Sequence, residues 1–586
     1  MHVEHRERIQ SGTAIKVLLI LLFAMLVACM IWIVEVPPAS GYEPSLLAVF
    51  PDLFWGLLFL IGALATITLF VCILRGSRLW ITAMILVIVL TVTLLVIPGT
   101  RGYFYYGGSD SLYHMGLIKE LLADGHFLPQ ENFNFYPALH FSGASLIKVT
   151  GLSISSISCL EILAFRMAYI TGILAISRRI TDTPHQRATL ASLGVIPLAP
   201  SGFLNFAPYA LTILLLPLLL LLYIRMISTE GKERRAHLGV LCFFLLALPL
   251  FHPLAAVLII AAFPIVEVSL HIYRRLFERT YRPNPQIIRV NRRLFALGLG
   301  ATIVWFIQFE VFWNIVISLF NNILRGAGSP PVNEYGDLIS RAQIWDLLIT
   351  FITMYGPLFM LIMIAVGSTL VLVIRGRKAR KMSLKQFILL ALVLGYGLLT
   401  VAFLILDFGV SIRPMNLLAI YTLILLALAL PINLSTRWRT VGSMVAILAI
   451  FVPAAIGLVP SPIAKDMNWQ MTSAGYSGLA WTPEHITENG AVFYYDRTIT
   501  MFKFAEPSAM IGGGITPDHF IFNDKRLNRT NLVMVDDRME QSYPLLYPSY
   551  SSSWRFTSDD FDRLRYSPEF NQVFSSKGFA YHHFGT

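Results

Sequence analysis

Thirteen long apolar runs, separated by short polar segments, dominate this sequence. A transmembrane helix needs about 20 consecutive apolar residues, and most of the runs approach that length. They cover residues 14–34, 53–74, 79–98, 157–177, 188–200, 207–226, 237–251, 254–270, 294–319, 347–374, 386–406, 415–432 and 440–459. Only 13% of all residues are charged, against roughly 25% in soluble domains. The sequence therefore predicts a mainly α, polytopic bundle of about 13 transmembrane helices and excludes a soluble enzyme.

The first apolar run follows a basic start that contains His5, Arg6 and Arg8. A signal peptide has the same polarity, but its apolar core has only about 7–15 residues. Because run 14–34 is long enough to span a membrane, we interpret it as a retained helix.

Basic residues distinguish the loops on the two sides of the predicted bundle. With the N-terminus inside, the cytoplasmic loops contain the basic clusters at 75–78, 178–187, 232–235, 274–293, 375–385 and 437–439. The opposite loops 35–52, 201–207 and 251–253 contain no Lys or Arg. Since cytoplasmic loops retain basic residues, this pattern predicts a cytoplasmic N-terminus and an extracytoplasmic C-terminus. The same clusters account for the net charge of +11, so a nucleic-acid partner is not expected.

The runs divide the chain into four parts. Residues 1–98 form N-terminal transmembrane helices, 99–156 a large extracytoplasmic loop, 157–459 the transmembrane bundle and 460–586 an extracytoplasmic domain. Within the loop, segment 137–155 is predicted to lie along the outer face, because a crossing there would reverse the basic pattern. The polar tail has strand-like runs at 491–495 and 531–535, which predict a small α+β domain.

Candidate catalytic residues lie in the predicted extracytoplasmic loop 99–156. Ser109 or Asp110 can cap a helix that begins there, and Gly125 can end it. Asp110 and His114 are four residues apart and share one helical face. The N-terminal end of a helix favours an ionised carboxylate and attracts phosphate. Asp110 is therefore a candidate general base, although a plain N-cap would explain it equally well.

Three motifs in the loop carry a family resemblance. Asp110-x-x-x-His114, then Gly-His-Phe at 125–127, then Tyr136-Pro-x-x-His140 opening a second helix, resemble the GT-C superfamily. These polytopic membrane glycosyltransferases use polyprenyl-phosphate-linked sugars. The resemblance implies a GT-C fold, a catalytic acidic residue in the first large outer loop, which matches Asp110, and an extracytoplasmic C-terminal domain.

Two features depart from the GT-C pattern. The loop follows the third apolar run, whereas in the superfamily it usually follows the first. The tail lacks the Trp-Trp-Asp sequence of oligosaccharyltransferases, and its nearest counterpart is the string Phe-Tyr-Tyr-Asp at 493–496. Transfer of a whole glycan to asparagine is therefore not expected.

Two more residues on the predicted outer side are candidates for substrate binding. Arg413 opens the twelfth run, where its guanidinium could hold a lipid-linked phosphate with two hydrogen bonds. Snorkelling, or an ion pair with Asp407, would explain Arg413 as well. His252 lies in the outer turn before Pro253 and is a candidate contact to phosphate or acceptor. His114 and His140 complete the predicted substrate-binding set.

No metal ligands are assigned. Asp110, His114, His126, Glu131 and His140 share one loop, but their spacing matches no metal motif. A divalent cation, Mg²⁺ or Mn²⁺, would act there as an assisting Lewis acid. All four cysteines lie within apolar runs, so neither a disulfide framework nor a cysteine metal site is predicted.

The leading hypothesis is an inverting glycosyltransferase of the cell membrane. It would move a sugar from a polyprenyl-phosphate donor to a hydroxyl of a glycan, lipid or protein acceptor at the outer face, with Asp110 as base. The alternative is a transporter or flippase of lipid-linked glycans. Such proteins tend to contain internal repeats and polar sites near the membrane midplane. No repeat is evident here, and the polar candidates gather in an outer loop.

Overall fold

The computed structural model of the chain is mainly helical and ends in a small β-sheet. It describes residues 2–103, 109–126, 136–197, 205–276, 285–310, 344–379, 383–405, 413–429, 435–459, 470–485, 491–494, 512–515, 532–546, 557–568, 570–576 and 579–584, with a few positions between them.

Three long helices begin the chain. They are α1 (His2–Glu35), α2 (Asp52–Leu74) and α3 (Trp80–Thr100). Helix α2 packs against both of the others. The rings of Phe50 and Phe54 stack 4.4 Å apart where the chain enters α2. Burial of these aromatic rings fixes the connection between α1 and α2.

Two shorter helices follow, α4 (Ser109–Asp124) and α5 (Pro137–Thr150), and they pack against each other. Pro137 is preorganised for the first helical position. Gly125 and Gly151 follow the two helices with φ of 72° and 69°, a left-handed conformation that commonly ends helices. The 14 residues of α5 extend about 21 Å at ~1.5 Å per residue, less than the ~30 Å of a hydrocarbon core.

The remaining helices form the bundle and its exit toward the C-terminal region. They are α6 (Ile154–Ile180), α7 (Pro184–Gly194), α8 (Pro208–Leu214), α9 (Leu216–Ser228), α10 (Gly231–Phe251), α11 (Pro253–Ile260), α12 (Ala262–Leu276), α13 (Pro285–Phe306), α14 (Ile344–Ala379), α15 (Leu384–Ile405), α16 (Arg413–Ala429), α17 (Thr436–Ile456) and α18 (Ser473–His485).

Helix α16 occupies the centre of the bundle. Every residue from 417 to 429 is buried, and α16 packs against α7, α11, α14 and α15. A helix that is apolar all round is a core helix, so α16 has no face for lipid or water over that stretch. Its first residue, Arg413, is thereby fixed relative to the bundle.

Nine stretches within the described residues are long and apolar enough to cross a membrane. They are Gly12–Glu35, Asp52–Leu74, Trp80–Thr100, Ile154–Ile180, Pro208–Ser228, Gly231–Phe251, Pro253–Leu276, Leu384–Phe403 and Thr436–Ile456. Two shorter apolar helical stretches are Tyr355–Val371 and Arg413–Ala429. These helices confirm the predicted polytopic membrane protein. The predicted runs 188–200 and 294–319 fall on α7 and α13, which are not among the nine, so the count of thirteen stays a prediction.

The C-terminal region contains a five-stranded mixed sheet in the part of it that is described. Its strands are β1 (Ala491–Tyr494), β2 (Gly512–Ile515), β3 (Leu532–Asp536), β4 (Phe570–Ser576) and β5 (Phe579–Phe584), in the order β2-β1-β3-β5-β4. Strand β1 pairs in parallel with β2 and β3, whereas β5 pairs antiparallel with β3 and β4. Helices α19 (Asp537–Leu546) and α20 (Ser558–Tyr566) accompany it. Both predicted strand runs are therefore strands.

Helix α18 joins this sheet to the rest of the molecule. The indole of Trp481 stacks on Tyr581 of β5, with ring centroids 5.5 Å apart. The Tyr581 hydroxyl also bonds to that of Thr482 on α18. The resulting small α+β unit agrees with the predicted fold of the tail.

Candidate functional site

The predicted site residues lie at the beginnings of helices that converge at one end of the bundle. Asp110 and His114 are in the first two turns of α4, and His140 is in the first turn of α5. His252 directly precedes α11, and Arg413 opens α16. A helix N-terminus carries partial positive charge and unpaired N–H groups. Their convergence favours an anion.

His114 and His140 form a buried pair. Their Nδ1 and Nε2 atoms are 3.0 Å apart, and their ring centroids are 5.3 Å apart. Burial lowers the pKa of His114 to about 3. Burial also holds the pKa of His140 well below its usual value, with a further contribution from His114. Both rings are therefore neutral, and a single N–H···N hydrogen bond joins α4 to α5.

His252 faces hydrogen-bond donors at both ring nitrogens. The backbone N–H of Ala255 donates to Nδ1 over 3.2 Å, so the ring caps α11. Its Nε2 lies 3.3 Å from Nη1 of Arg413, and a guanidinium has only donors. Burial, with the charge of Arg413, holds the pKa of His252 well below its usual value, so the ring is neutral. A neutral imidazole has one acceptor nitrogen, which is too few for two donors.

The tautomer that keeps the cap places a proton on Nε2. The N–H of His252 and that of Arg413 then point toward each other. An acceptor that bonds to both donors, such as an oxygen of a phosphate, resolves the conflict. In that tautomer the pair presents two donors and no acceptor.

Two tyrosines hold these groups together. The ring of Tyr136 stacks on His252 with 4.8 Å between centroids and an angle of 13°, and it meets His114 edge-on at 5.8 Å. Tyr209, in the first turn of α8, contacts His252 edge-on at 5.3 Å. The Cζ atom of Arg413 lies 5.2 Å from the centre of the Tyr209 ring. Tyr209 also donates its hydroxyl to the backbone oxygen of Arg413.

Asp110 is exposed in the first turn of α4. The neighbouring Ser111 is buried, and its Oγ accepts a 3.2 Å hydrogen bond from the backbone N–H of Phe206, which holds this end of α4. Burial raises the pKa of Tyr136, Arg413 lowers it and Asp110 raises it.

The described residues do not fit a metal site. They contain no group of three or more His, Cys, Asp or Glu side chains that could hold an ion. His126 is exposed, with Nδ1 3.0 Å from the backbone oxygen of Asp124. Glu131 lies outside the described residues. No chemical step below uses a cation, and a divalent ion stays a prediction.

The predicted alternative for Arg413, an ion pair with Asp407, also falls outside the described residues, because Asp407 is not among them.

The sequence did not reveal the roles of Tyr136 and Tyr209. Tyr136 had a usable signal, since it stands directly before a helix-starting proline and four residues before His140. Tyr209 had none, because its contacts join α8 to residues about 40 and 200 positions away, His252 and Arg413.

Solved structures similar to this chain include an oligosaccharyltransferase and ArnT. The Archaeoglobus fulgidus oligosaccharyltransferase in complex with Zn and sulfate is 14% identical, with a TM-score of 0.49 over 83% of this chain and 69% of that one. ArnT from Cupriavidus metallidurans bound to undecaprenyl phosphate is 12% identical, with a TM-score of 0.44 over 86% of this chain and 98% of that one.

At these identities and TM-scores the likeness concerns the fold alone and assigns no substrate and no residue role. No family model and no curated protein matches the chain.

Proposed function

We propose that this protein is a membrane glycosyltransferase that moves a sugar from a polyprenyl-phosphate donor to an acceptor hydroxyl. The observation that carries the proposal is the facing pair of Arg413 Nη1 and His252 Nε2, 3.3 Å apart, at a convergence of helix N-termini. In the tautomer of His252 that keeps the cap of α11, both groups present donors, and a phosphate oxygen would accept from both. A phosphate held at the end of a membrane bundle suits a lipid-linked donor.

Asp110 is the proposed general base. Its carboxylate takes the proton of the acceptor hydroxyl, and the acceptor oxygen attacks the anomeric carbon opposite the phosphate. The new glycosidic bond forms as the bond between that carbon and the phosphate oxygen breaks. The electron pair leaves with polyprenyl phosphate, whose charge Arg413 and His252 stabilise. A single in-line displacement inverts the anomeric configuration.

The pair of His114 and His140 is proposed to position these groups. Their hydrogen bond joins the helix of Asp110 to α5, and Tyr136 at the start of α5 stacks on His252. The contacts connect the proposed base to the proposed phosphate site through neutral, buried rings. Either histidine would also contact the sugar through a ring nitrogen.

The proposed topology has thirteen spans, with the N-terminus in the cytoplasm and the C-terminal domain outside. The parts are 1–98, 99–156, 157–459 and 460–586, as the apolar runs predict. Asp110, Arg413 and the C-terminal domain then share the outer side, where a lipid donor and a polar glycan, lipid or protein acceptor both have access. The protein would act at the cell envelope.

The test uses the purified full-length chain in lipid vesicles with a radiolabelled polyprenyl-phosphate sugar and candidate acceptors. A glycosyltransferase transfers label into a new glycosidic bond, and an Arg413→Ala variant does not. A transporter or flippase, the alternative, moves the labelled lipid between leaflets without forming such a bond. Label that crosses the membrane and stays on the donor lipid would contradict the proposal.

A further inference from the structure

A polar cavity lies away from the residues of the candidate site. Its volume is about 310 Å³, near the lower end of the range of about 300–1,000 Å³ for small-molecule sites. It lies between the segments 39–41 and 101–103, helix α18 and the end of strand β4. Six hydroxyl side chains line it, those of Ser40, Tyr103, Thr472, Ser473, Ser477 and Ser576.

The chemistry of this cavity is polar and close to neutral. Apart from Arg101, the other lining residues are alanine or glycine, so no large apolar side chain faces the space. Arg101 is buried and ion-paired with Glu43, and its Nε donates to Oε2 over 3.2 Å. The Tyr103 hydroxyl donates to the same carboxylate over 2.8 Å. Because Glu43 neutralises Arg101, the cavity does not select for an anion.

The walls of the cavity are held by further hydrogen bonds. The backbone N–H of Ala39 donates to the backbone oxygen of Arg101 over 2.9 Å, which joins two of the lining segments. The side-chain amide of Asn468 donates to the backbone oxygen of Glu43 over 2.8 Å. Ser40, Ser473 and Ser477 are exposed, so the cavity is open on one side. A ligand would therefore meet preorganised walls.

Helix α18 connects this cavity to the helix of Asp110. Ser473 and Ser477 of α18 line the cavity, while Tyr476 lies 5.8 Å from Nζ of Lys119 on α4. Lys119 also donates to the backbone oxygen of Phe504 over 2.6 Å. Lys119 follows Asp110 by nine residues, roughly 14 Å along a helix at ~1.5 Å per residue. Helix α18 therefore contacts both the cavity and the helix that contains the proposed base.

We propose that this cavity binds a neutral sugar unit of the acceptor, one that does not itself react. The inference rests on the proposed function and gives its acceptor a chemical class, a neutral glycan. Each serine or threonine hydroxyl both donates and accepts, which suits the hydroxyls of a sugar. Binding energy from a sugar unit that is remote from the reacting hydroxyl can be used to orient that hydroxyl for the reaction.

The test measures binding by saturation-transfer difference NMR on the full-length protein in a sugar-free detergent such as lauryldimethylamine oxide. The probes are methyl α-D-mannoside, methyl β-D-glucoside and methyl β-D-galactoside, with glucose 6-phosphate as the anionic comparison. At least one neutral glycoside should bind, and glucose 6-phosphate should bind no more tightly. Absence of binding by all three glycosides, or tighter binding of the phosphate, would overturn the inference.

Two filling variants locate the binding. Ser477→Trp on α18 and Ser40→Trp on the opposite wall should each raise the Kd by about tenfold or more, a factor equal to about 1.4 kcal/mol. Ser558→Trp, an exposed position at the start of α20 outside the cavity, is the matched control and should leave the Kd unchanged. If one filling variant does not fold, the other decides the outcome. Unchanged binding in a folded filling variant would overturn the inference.

These measurements separate the inference from the proposed function, because binding is observed without transfer. Sugar transfer by a protein that binds no neutral glycoside would contradict the inference alone. Glycoside binding in the cavity, by a protein that forms no glycosidic bond from the labelled donor, would contradict the proposed function alone.

Discussion

The rings of Tyr136 and His252 stack 4.8 Å apart at an angle of 13°. Tyr136 belongs to the segment that enters α5, and His252 belongs to the turn between α10 and α11. The contact therefore connects the α4–α5 pair, which includes Asp110, to His252. His252 in turn lies beside Arg413, the first residue of α16. Stacked aromatic rings contribute about 0.5–1.5 kcal/mol beyond their buried area, so this attachment is substantial.

Replacing Asp110 by Asn should abolish most of the transfer while leaving the fold intact. Asn is nearly the same size as Asp in this first turn of α4 but cannot take up a proton, and loss of a general base costs about 10²–10⁴-fold in rate. Transfer rate and thermal unfolding are measured together. Asp124→Asn, an exposed change at the other end of the same helix, is the control and should be silent. A fully active Asp110→Asn protein would contradict the assignment of Asp110 as the base.

Replacing Arg413 by Lys should lower transfer although the charge is kept. Lysine lacks the planar fork that bonds two phosphate oxygens at once. Removal of one donor from a charge-stabilising site usually costs about 10²–10³-fold in rate. Donor binding and turnover are compared for Arg413→Lys and Arg413→Ala. Arg437→Lys, an exposed change in the first turn of α17, should have no effect. Normal transfer by Arg413→Ala would mean that the residue only reaches toward the membrane surface.

Variants of His252 should distinguish its role as the N-cap of α11 from its proposed contact with phosphate. Asn caps helices well but is too short to reach the position of Nε2, so His252→Asn should keep the cap, lose the stacking on Tyr136, worth about 0.5–1.5 kcal/mol, and weaken donor binding. His252→Ala should also lose about 0.5–2 kcal/mol of stability with the cap. Thermal unfolding and donor binding are measured for both variants. Equal donor binding in wild type and His252→Asn would show that the ring acts only as a cap.

Acid should destabilise the α4–α5 pair through its buried histidines. Their pKa values are lower in the folded state, with that of His114 at about 3, than the ~6.5 of an unfolded histidine. The unfolded chain therefore binds more protons between these values, and stability falls as the pH drops from about 6.5 toward 3. The unfolding midpoint of a His114→Gln, His140→Gln double variant should depend less on pH over this window than that of wild type.

The exposed His126 provides the comparison for this pH dependence. The unfolding midpoint of a His126→Gln variant should depend on pH in the same way as that of the wild type, because the side chain of His126 is exposed in the folded protein. A double variant whose midpoint falls with acid as steeply as the wild type would place the sensitivity in other groups.

The predicted topology can be tested with reporters. A reporter fused after Thr586 should be extracytoplasmic, and one inserted near Lys378 should be cytoplasmic, because the basic cluster at 375–385 marks an inner loop. Alkaline phosphatase activity and green fluorescence report opposite sides. Both reporters on one side would contradict the thirteen-span arrangement and the proposed outer position of Asp110.

The sequence was sufficient to predict what depends on local pattern. Apolar runs predicted the membrane helices, and the Asp110-to-Gly125 spacing predicted α4, because capping and hydrophobic length act over a few residues. It also selected five residues that the structure brings to one end of the bundle. It could not predict their pairing, because the contact between His114 and His140, like that between Arg413 and His252, depends on packing of distant helices. The cavity beside Ser477 was hidden for the same reason.

The burial of α16 from residue 417 to residue 429 restricts how the site can move during turnover. A helix that is enclosed by close-packed neighbours cannot tilt or slide without disturbing them. The position of Arg413 at the start of α16 is therefore fixed. The α4–α5 pair is held beside it by the stacking of Tyr136 on His252 and by the bond of Ser111 to Phe206. We therefore expect large substrates to enter and leave around a site whose protein groups keep their positions, without rearrangement of the bundle.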